Sequence, residues 1–189
     1  MRSTIAAISA LTLLLTASAA MASPQAGTSD DLDKLLAEKG LLTQLSNQIG
    51  QVKQSVSEKA SELVVNAMGF LGVPYRRGGN SADTGFDCSG FVRAMYQQTV
   101  GLILPRSADQ QAAVTQTIDK SDLQPGDLVF FNTMRRAFSH VGIYIGDNKF
   151  IHSPKPGSEV RVEDMRQSYW TKRFTGARRV ESAPAAAQP

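Results

Sequence analysis

The hydrophobic period of this chain changes once, near Leu123, and that change restricts the folds open to it. Upstream, apolar residues recur at helical steps of three and four; downstream they form short strand-like runs punctuated by glycine-rich turns. Helices first and antiparallel strands second specify an α+β domain rather than an alternating βαβ chain. Leu42, Leu45, Ile49, Val52 and Val56 form an apolar seam within a helix expected over 41–71, with Gly50 as a candidate break. The seam is too short for a coiled coil, so an amphipathic helix lying on the domain is expected. Self-association, or docking of residues 31–71 to a partner, is the alternative. A shorter helix, capped by Asp30 or Asp31 and carrying Leu32, Leu35 and Leu36, is expected to end at Gly40.

Further along, Phe91, Val92, Met95 and Val100 have helical spacing from Cys88 onward, and Ser107 begins another helix through Ala108, Gln111, Ala112 and Val114. Pro125-Gly126 reads as a type II turn feeding a buried strand, Leu128-Val129-Phe130-Phe131. The runs from His140 to Ile145 and from Lys149 to His152 bracket Gly146-Asp147-Asn148, a hairpin signal. A last strand is expected over 174–180.

Residues 1–22 read as an export signal: Arg2, an apolar run, then Ala20-Met21-Ala22 as the cleavage site. Residues 23–30 are a small polar linker and 182–189 a low-complexity tail expected to be disordered. No transmembrane anchor is expected, and no cysteine near the cleavage point offers a lipid attachment site. The formal net charge is +3 and the basic residues are scattered, which falls far short of a nucleic-acid footprint.

An exported chain normally pairs its cysteines, yet this one has a single cysteine, Cys88, and two histidines, His140 and His152. These are the materials of a thiolate nucleophile, a base and an orienting group. Asp87 can cap a helix whose first turn carries the sulfur, so backbone N–H groups and a nearby imidazolium would lower the thiol pKa. Gly90 is expected to keep bulk away from the sulfur.

Hairpin register tests whether the histidines can meet. A two-residue loop at Asp147-Asn148 pairs Ile143 with His152 and puts the rings on opposite faces. A three-residue loop at 146–148, or an equivalent bulge, pairs His152 with Gly142 and leaves His140 on the same face, within about 7–8 Å or closer with twist. That second arrangement is expected, with Val141, Ile143 and Ile145 facing the core. His140 then serves as base and His152 orients it. A zinc site from the three is the rival, without a short-spaced ligand pair to support it; no cofactor is expected.

In these motifs the chain resembles the NlpC-type family of bacterial cell-wall peptidases over 72–180. The motifs are Gly72-Val73-Pro74-Tyr75, Asp87-Cys88-Ser89-Gly90-Phe91-Val92, Leu104-Pro105-Arg106-Ser107, Pro125-Gly126-Asp127, and the His140 and His152 strands. The resemblance implies a papain-like domain over 72–181 that cuts peptidoglycan stem peptides, most often between D-glutamate and a diamino acid. It implies Cys88 as nucleophile, His140 as base and His152 as third polar member. It further implies substrate contacts from Tyr75, Asp87 and Ser89, and a carboxylate contact from Arg106. Ser139 is a weaker candidate, with a solvent-facing strand position as its alternative. Two rival functions stay open: an amidase that detaches stem peptides from glycan, and a wall-binding scaffold without turnover.

Overall fold

The computed structural model describes Lys34 and residues 40–181. The export signal, the linker, the rest of the capped helix at 31–39 and the C-terminal tail lie outside the described residues. Helix α1 spans Leu41–Met68 and runs unbroken through Gly50. One glycine costs only about 1 kcal/mol in a helix interior, too little to break a helix of this length. The seam does not lie on the domain: Ile49, Val52 and Val56 are exposed. The buried residues are Leu63 and Ala67, near the helix end, where both join the main core. Spacing alone identifies an apolar stripe but not which stretch of it finds a surface.

A two-stranded ribbon, β1 (Asn80–Ser81) and β2 (Gly85–Phe86), leads into α2 (Cys88–Val100), which ends at Gly101 in the left-handed conformation. Helix α3 (Ala108–Ala113) starts at Ser107, where Ser107 and Gln110 form a capping box. Eight further elements follow: β3 (Gln116–Ile118), a 3-10 turn, β4 (Leu128–Phe131), β5 (His140–Gly146), β6 (Lys149–His152), β7 (Arg161–Asp164), the short helix α4 (Ser168–Thr171) and β8 (Phe174–Arg179). All six strands from β3 onward join one antiparallel sheet, in the order β3-β8-β4-β5-β6-β7. The expected α+β class is observed. The Pro125-Gly126 turn is also present, with the Asp127 N–H donating to the Gln124 carbonyl and Gly126 at positive φ.

Because side chains alternate across a strand, the sheet has two distinct faces. Leu128, Phe130, Val141, Ile143 and Ile151 face α2, packing with its Phe91, Val92 and Met95. Val129, Phe131, Tyr144 and Phe150 face the other way, under Met165 and Trp170. This second cluster makes β4 buried along its whole length.

The β5–β6 hairpin resolves the register. Ile143 pairs with Ile151 and Tyr144 with Phe150, whereas Gly146 pairs with Lys149, so Ile145 is an extra residue in a bulge. Asp147 and Asn148 form a two-residue loop with both residues at positive φ, the requirement of a type I′ turn. The expected three-residue loop is therefore replaced by its equivalent. A tight turn matches strand twist, and the bulge absorbs the odd residue. Gly142 comes opposite His152: a Cβ on Gly142 would lie 3.2 Å from the His152 Cβ. Both histidines consequently share a face.

Candidate active site

Cys88 is the first residue of α2. Asp87 is in extended conformation before it and caps the helix, its Oδ1 accepting from the Gly90 N–H at 2.8 Å. Its Oδ2 accepts from the Gly78 N–H at 2.9 Å, tying the β1 approach to the helix start. A Cβ at Gly90 would lie 2.0 Å from the Gly79 carbonyl oxygen. Close passage of the 78–79 loop, rather than access to the sulfur, is what requires glycine at position 90.

The thiol is partly exposed and opens onto a cleft of about 670 Å³, lined among others by Tyr75, Ser139, His140, Lys155 and Arg161. Its electrostatics differ from the sequence expectation. Burial, and then the Asp87 carboxylate, push the Cys88 pKa up to about 11, while the N–H groups of Val141 and Ser89 pull against them. One helix-start N–H, that of Ser89, does act on the sulfur, but burial, and after it the capping carboxylate, outweighs it. His140 is 3 % exposed; burial first, then His152, holds its pKa well below the usual range, with Glu163 opposing. Both shifts favour the neutral thiol and the neutral imidazole over an ion pair.

His140 Nε2 lies 2.6 Å from His152 Nδ1, the rings nearly perpendicular at 83°. His152 is fully buried. The ring centroids are 4.9 Å apart, the closer approach that strand twist allows to diagonal neighbours. Trp170 of α4 covers the pair, stacked on His140 at 5.7 Å and edge-on to His152 at 5.2 Å.

Among the remaining candidates, Tyr75 is half-buried on the cleft wall, its hydroxyl pKa raised by burial and then by the neighbouring Cys88 and Asp87. Asp87 and Ser89 flank the thiol, and Arg106 reaches both. Its guanidinium donates to Asp87 Oδ2 at 2.6 Å, to Asp87 Oδ1 at 3.0 Å and to Ser89 Oγ at 3.0 Å. The fork expected to meet a substrate carboxylate is thus engaged by the carboxylate of Asp87, which a bidentate pair holds firmly. Ser139 is buried rather than solvent-facing. Its Oγ accepts from the N–H groups of Thr133 and Met134 at 3.0 and 3.3 Å, pinning the loop beside the cleft. Among the described residues no group of three or more His, Cys, Asp or Glu side chains is placed to hold a metal ion.

Sequence reasoning missed Glu163 and Trp170. Glu163 Oε1 lies 3.6 Å from His152 Nε2, and the Trp170 indole N–H donates to Glu163 Oε2. A signal was present: Val160-Arg161-Val162-Glu163 alternates apolar and charged residues, the pattern of a half-buried strand.

Residues 72–179 match the NlpC/P60 family. The chain is 40% identical over 139 residues to the murein DD-endopeptidase MepH of Escherichia coli, covering 71% of this chain and 51% of that protein. It is 40% identical over 121 residues to the gamma-DL-glutamyl hydrolase of Bacillus subtilis, covering 64% of this chain and 29% of that protein. The chain therefore spans about half or less of the length of these two relatives. Among solved structures, an NlpC/P60 family protein from Bacillus cereus superposes with a TM-score of 0.60 at 37% identity, covering 64% of this chain and 39% of that one.

Proposed function

Because the chain belongs to the NlpC/P60 family, we propose that it is an exported cysteine endopeptidase that hydrolyses peptidoglycan stem peptides. Cys88 is the nucleophile, His140 the general base and His152 the residue that orients it. The observation that carries this reading is that His140 lines the Cys88 cleft while its Nε2 is held 2.6 Å from a buried second imidazole.

With substrate in the cleft, His140 Nδ1 accepts the thiol proton as the sulfur attacks the amide carbonyl carbon. The oxyanion forms beside the Cys88 N–H at the start of α2, a donor without an intrahelical partner, and beside the Tyr75 hydroxyl. The intermediate collapses, the amine leaves with the proton from His140, and a thioester remains. Water, deprotonated by His140, attacks the thioester, and the proton returns to the sulfur as the acid departs.

The bond we assign is that between γ-linked D-glutamate and the diamino acid, in keeping with the gamma-DL-glutamyl hydrolase relative. Lys155 on the cleft wall offers a cation suited to a carboxylate-bearing stem peptide, whereas Arg161 beside it is engaged by Glu163. Equal identity to a murein DD-endopeptidase favours a second reading, cleavage of the crosslink between stems. Incubating the protein with defined muropeptides and weighing the products separates these bonds from each other and from an amidase cut. Cys88→Ala should lower turnover by at least about 1,000-fold with the thermal midpoint preserved. Undiminished cleavage by that variant would sink the assignment, and absence of any cleavage by the intact thiol would favour a scaffold.

A further inference from the structure

We infer that Glu163 is a positioning residue that selects the proton arrangement of both histidines from behind. The inference rests on the reading of Cys88, His140 and His152 given above.

Strand register brings the residue there. His152 pairs with Arg161 and Phe150 with Glu163, so both β7 side chains share the histidine face of the sheet. Three neighbours then hold the carboxylate: the Trp170 indole N–H donates to Oε2, Arg161 Nε donates to Oε1, and His152 Nε2 lies 3.6 Å from Oε1. Against burial, which pushes its pKa up, His152, Arg161 and Trp170 keep the carboxyl ionised down to about 2. His152 Nε2 is buried and makes no hydrogen bond among the described residues. The polar atom facing it at 3.6 Å is a carboxylate oxygen of fixed position.

The 2.6 Å contact between the rings needs one donor and one acceptor, and each neutral imidazole carries a single N–H. Only two neutral arrangements satisfy this. In one, His140 Nε2–H donates to His152 Nδ1. His140 Nδ1 is then free to accept the thiol proton, and the His152 proton sits on Nε2, aimed at Glu163. In the other, His152 Nδ1–H donates to His140 Nε2. His140 then presents Nδ1–H and cannot act as a base, while an unshared pair on His152 Nε2 faces a carboxylate. Attraction in the first case and repulsion in the second make Glu163 the group that decides. It also stabilises the positive charge that the ring pair acquires when the thiol proton arrives.

The titratable and charged groups around Glu163 are His140 on β5, His152 on β6 and Arg161 on β7, with Lys155 lining the same cleft; Trp170 on α4 adds an uncharged donor. The chain has two histidines, so nitrogen-15 NMR of the imidazoles gives two ring systems to assign. In the native protein at neutral pH both rings should carry their proton on Nε2. Glu163→Gln should populate Nδ1–H on His152 and lower kcat about 10- to 100-fold, with KM changed less than about twofold. Loss of a charge that favours imidazolium should move the acid limb of kcat/KM to lower pH, and Glu163→Asp should recover part of kcat. A native spectrum with His152 protonated at Nδ1 overturns the inference, whether or not the Gln variant folds. So does a folded Gln variant with unmoved tautomers and an unmoved acid limb, even if its stability falls. The spectra need no substrate, so an error in the hydrolase reading would be seen separately as absent turnover.

Discussion

His140 and Cys88 are each unusual in the direction opposite to an ion pair. Burial keeps the imidazole neutral below its ordinary value of 6.5, and burial with Asp87 pushes the thiol up to about 11. Both shifts disfavour proton transfer from thiol to imidazole in the empty site, so in the proposed mechanism the transfer accompanies attack of the sulfur on the carbonyl carbon. A base with a lowered pKa stays competent to lower pH. kcat/KM on a stem peptide should thus remain level from about pH 8 down through 6.5 and fall only below that. An acid limb centred above 6.5 would contradict the neutral-pair description. The thiol pKa departs from the sequence expectation because burial raises it and because the Asp87 that caps the helix also sits beside the sulfur as a like charge. A cap is legible in a motif, but its net effect on a neighbour depends on desolvation.

The start of α2 is where one element controls another. Asp87 receives N–H groups from Gly78 and Gly90 and the fork of Arg106, so the β1 approach, the helix and the 105–107 segment share one carboxylate. Gly90 permits this, because any Cβ there would strike the Gly79 carbonyl at 2.0 Å. Gly90→Ala should cost about 1–3 kcal/mol, as overpacking does, and lower the thermal midpoint by several degrees. An unchanged melting curve would show that the loop yields freely. The β5–β6 hairpin works similarly at its own scale. Its two-residue turn alone would have separated the histidines, and the bulge at Ile145 returns them to one face. Period two in the strands made a shared face legible in sequence. Where the extra residue would sit was a matter of turn geometry and twist.

At the scale of the whole molecule, the central strands β4, β5 and β6 are buried on both sides of the sheet, and the histidines lie in its second apolar layer under Trp170. This has a consequence for acid stability. His140 and His152 both have folded pKa values below 6.5, so under acid conditions the unfolded chain binds protons that the folded chain refuses. Stability then falls as pH drops below about 6.5. Glu163, held at about 2 against an ordinary 4.5, adds stability that is complete above 4.5 and lost toward 2. Calorimetry should show a midpoint steady above pH 7, declining below 6.5 and dropping further between 4.5 and 2; a midpoint indifferent to pH across 4.5 to 7 would refute this. Helices before strands, the capped helix at Cys88 and the hairpin that puts both histidines on one face follow from the sequence alone, because periodicity and turn chemistry are local properties of a chain. Tertiary structure alone decided that Arg106 is engaged by Asp87, that the Ile49 to Val56 seam stays exposed, and that Glu163 and Trp170 stand behind His152. Those outcomes depend on which distant strands pair and what the pairing buries, and no local pattern encodes that.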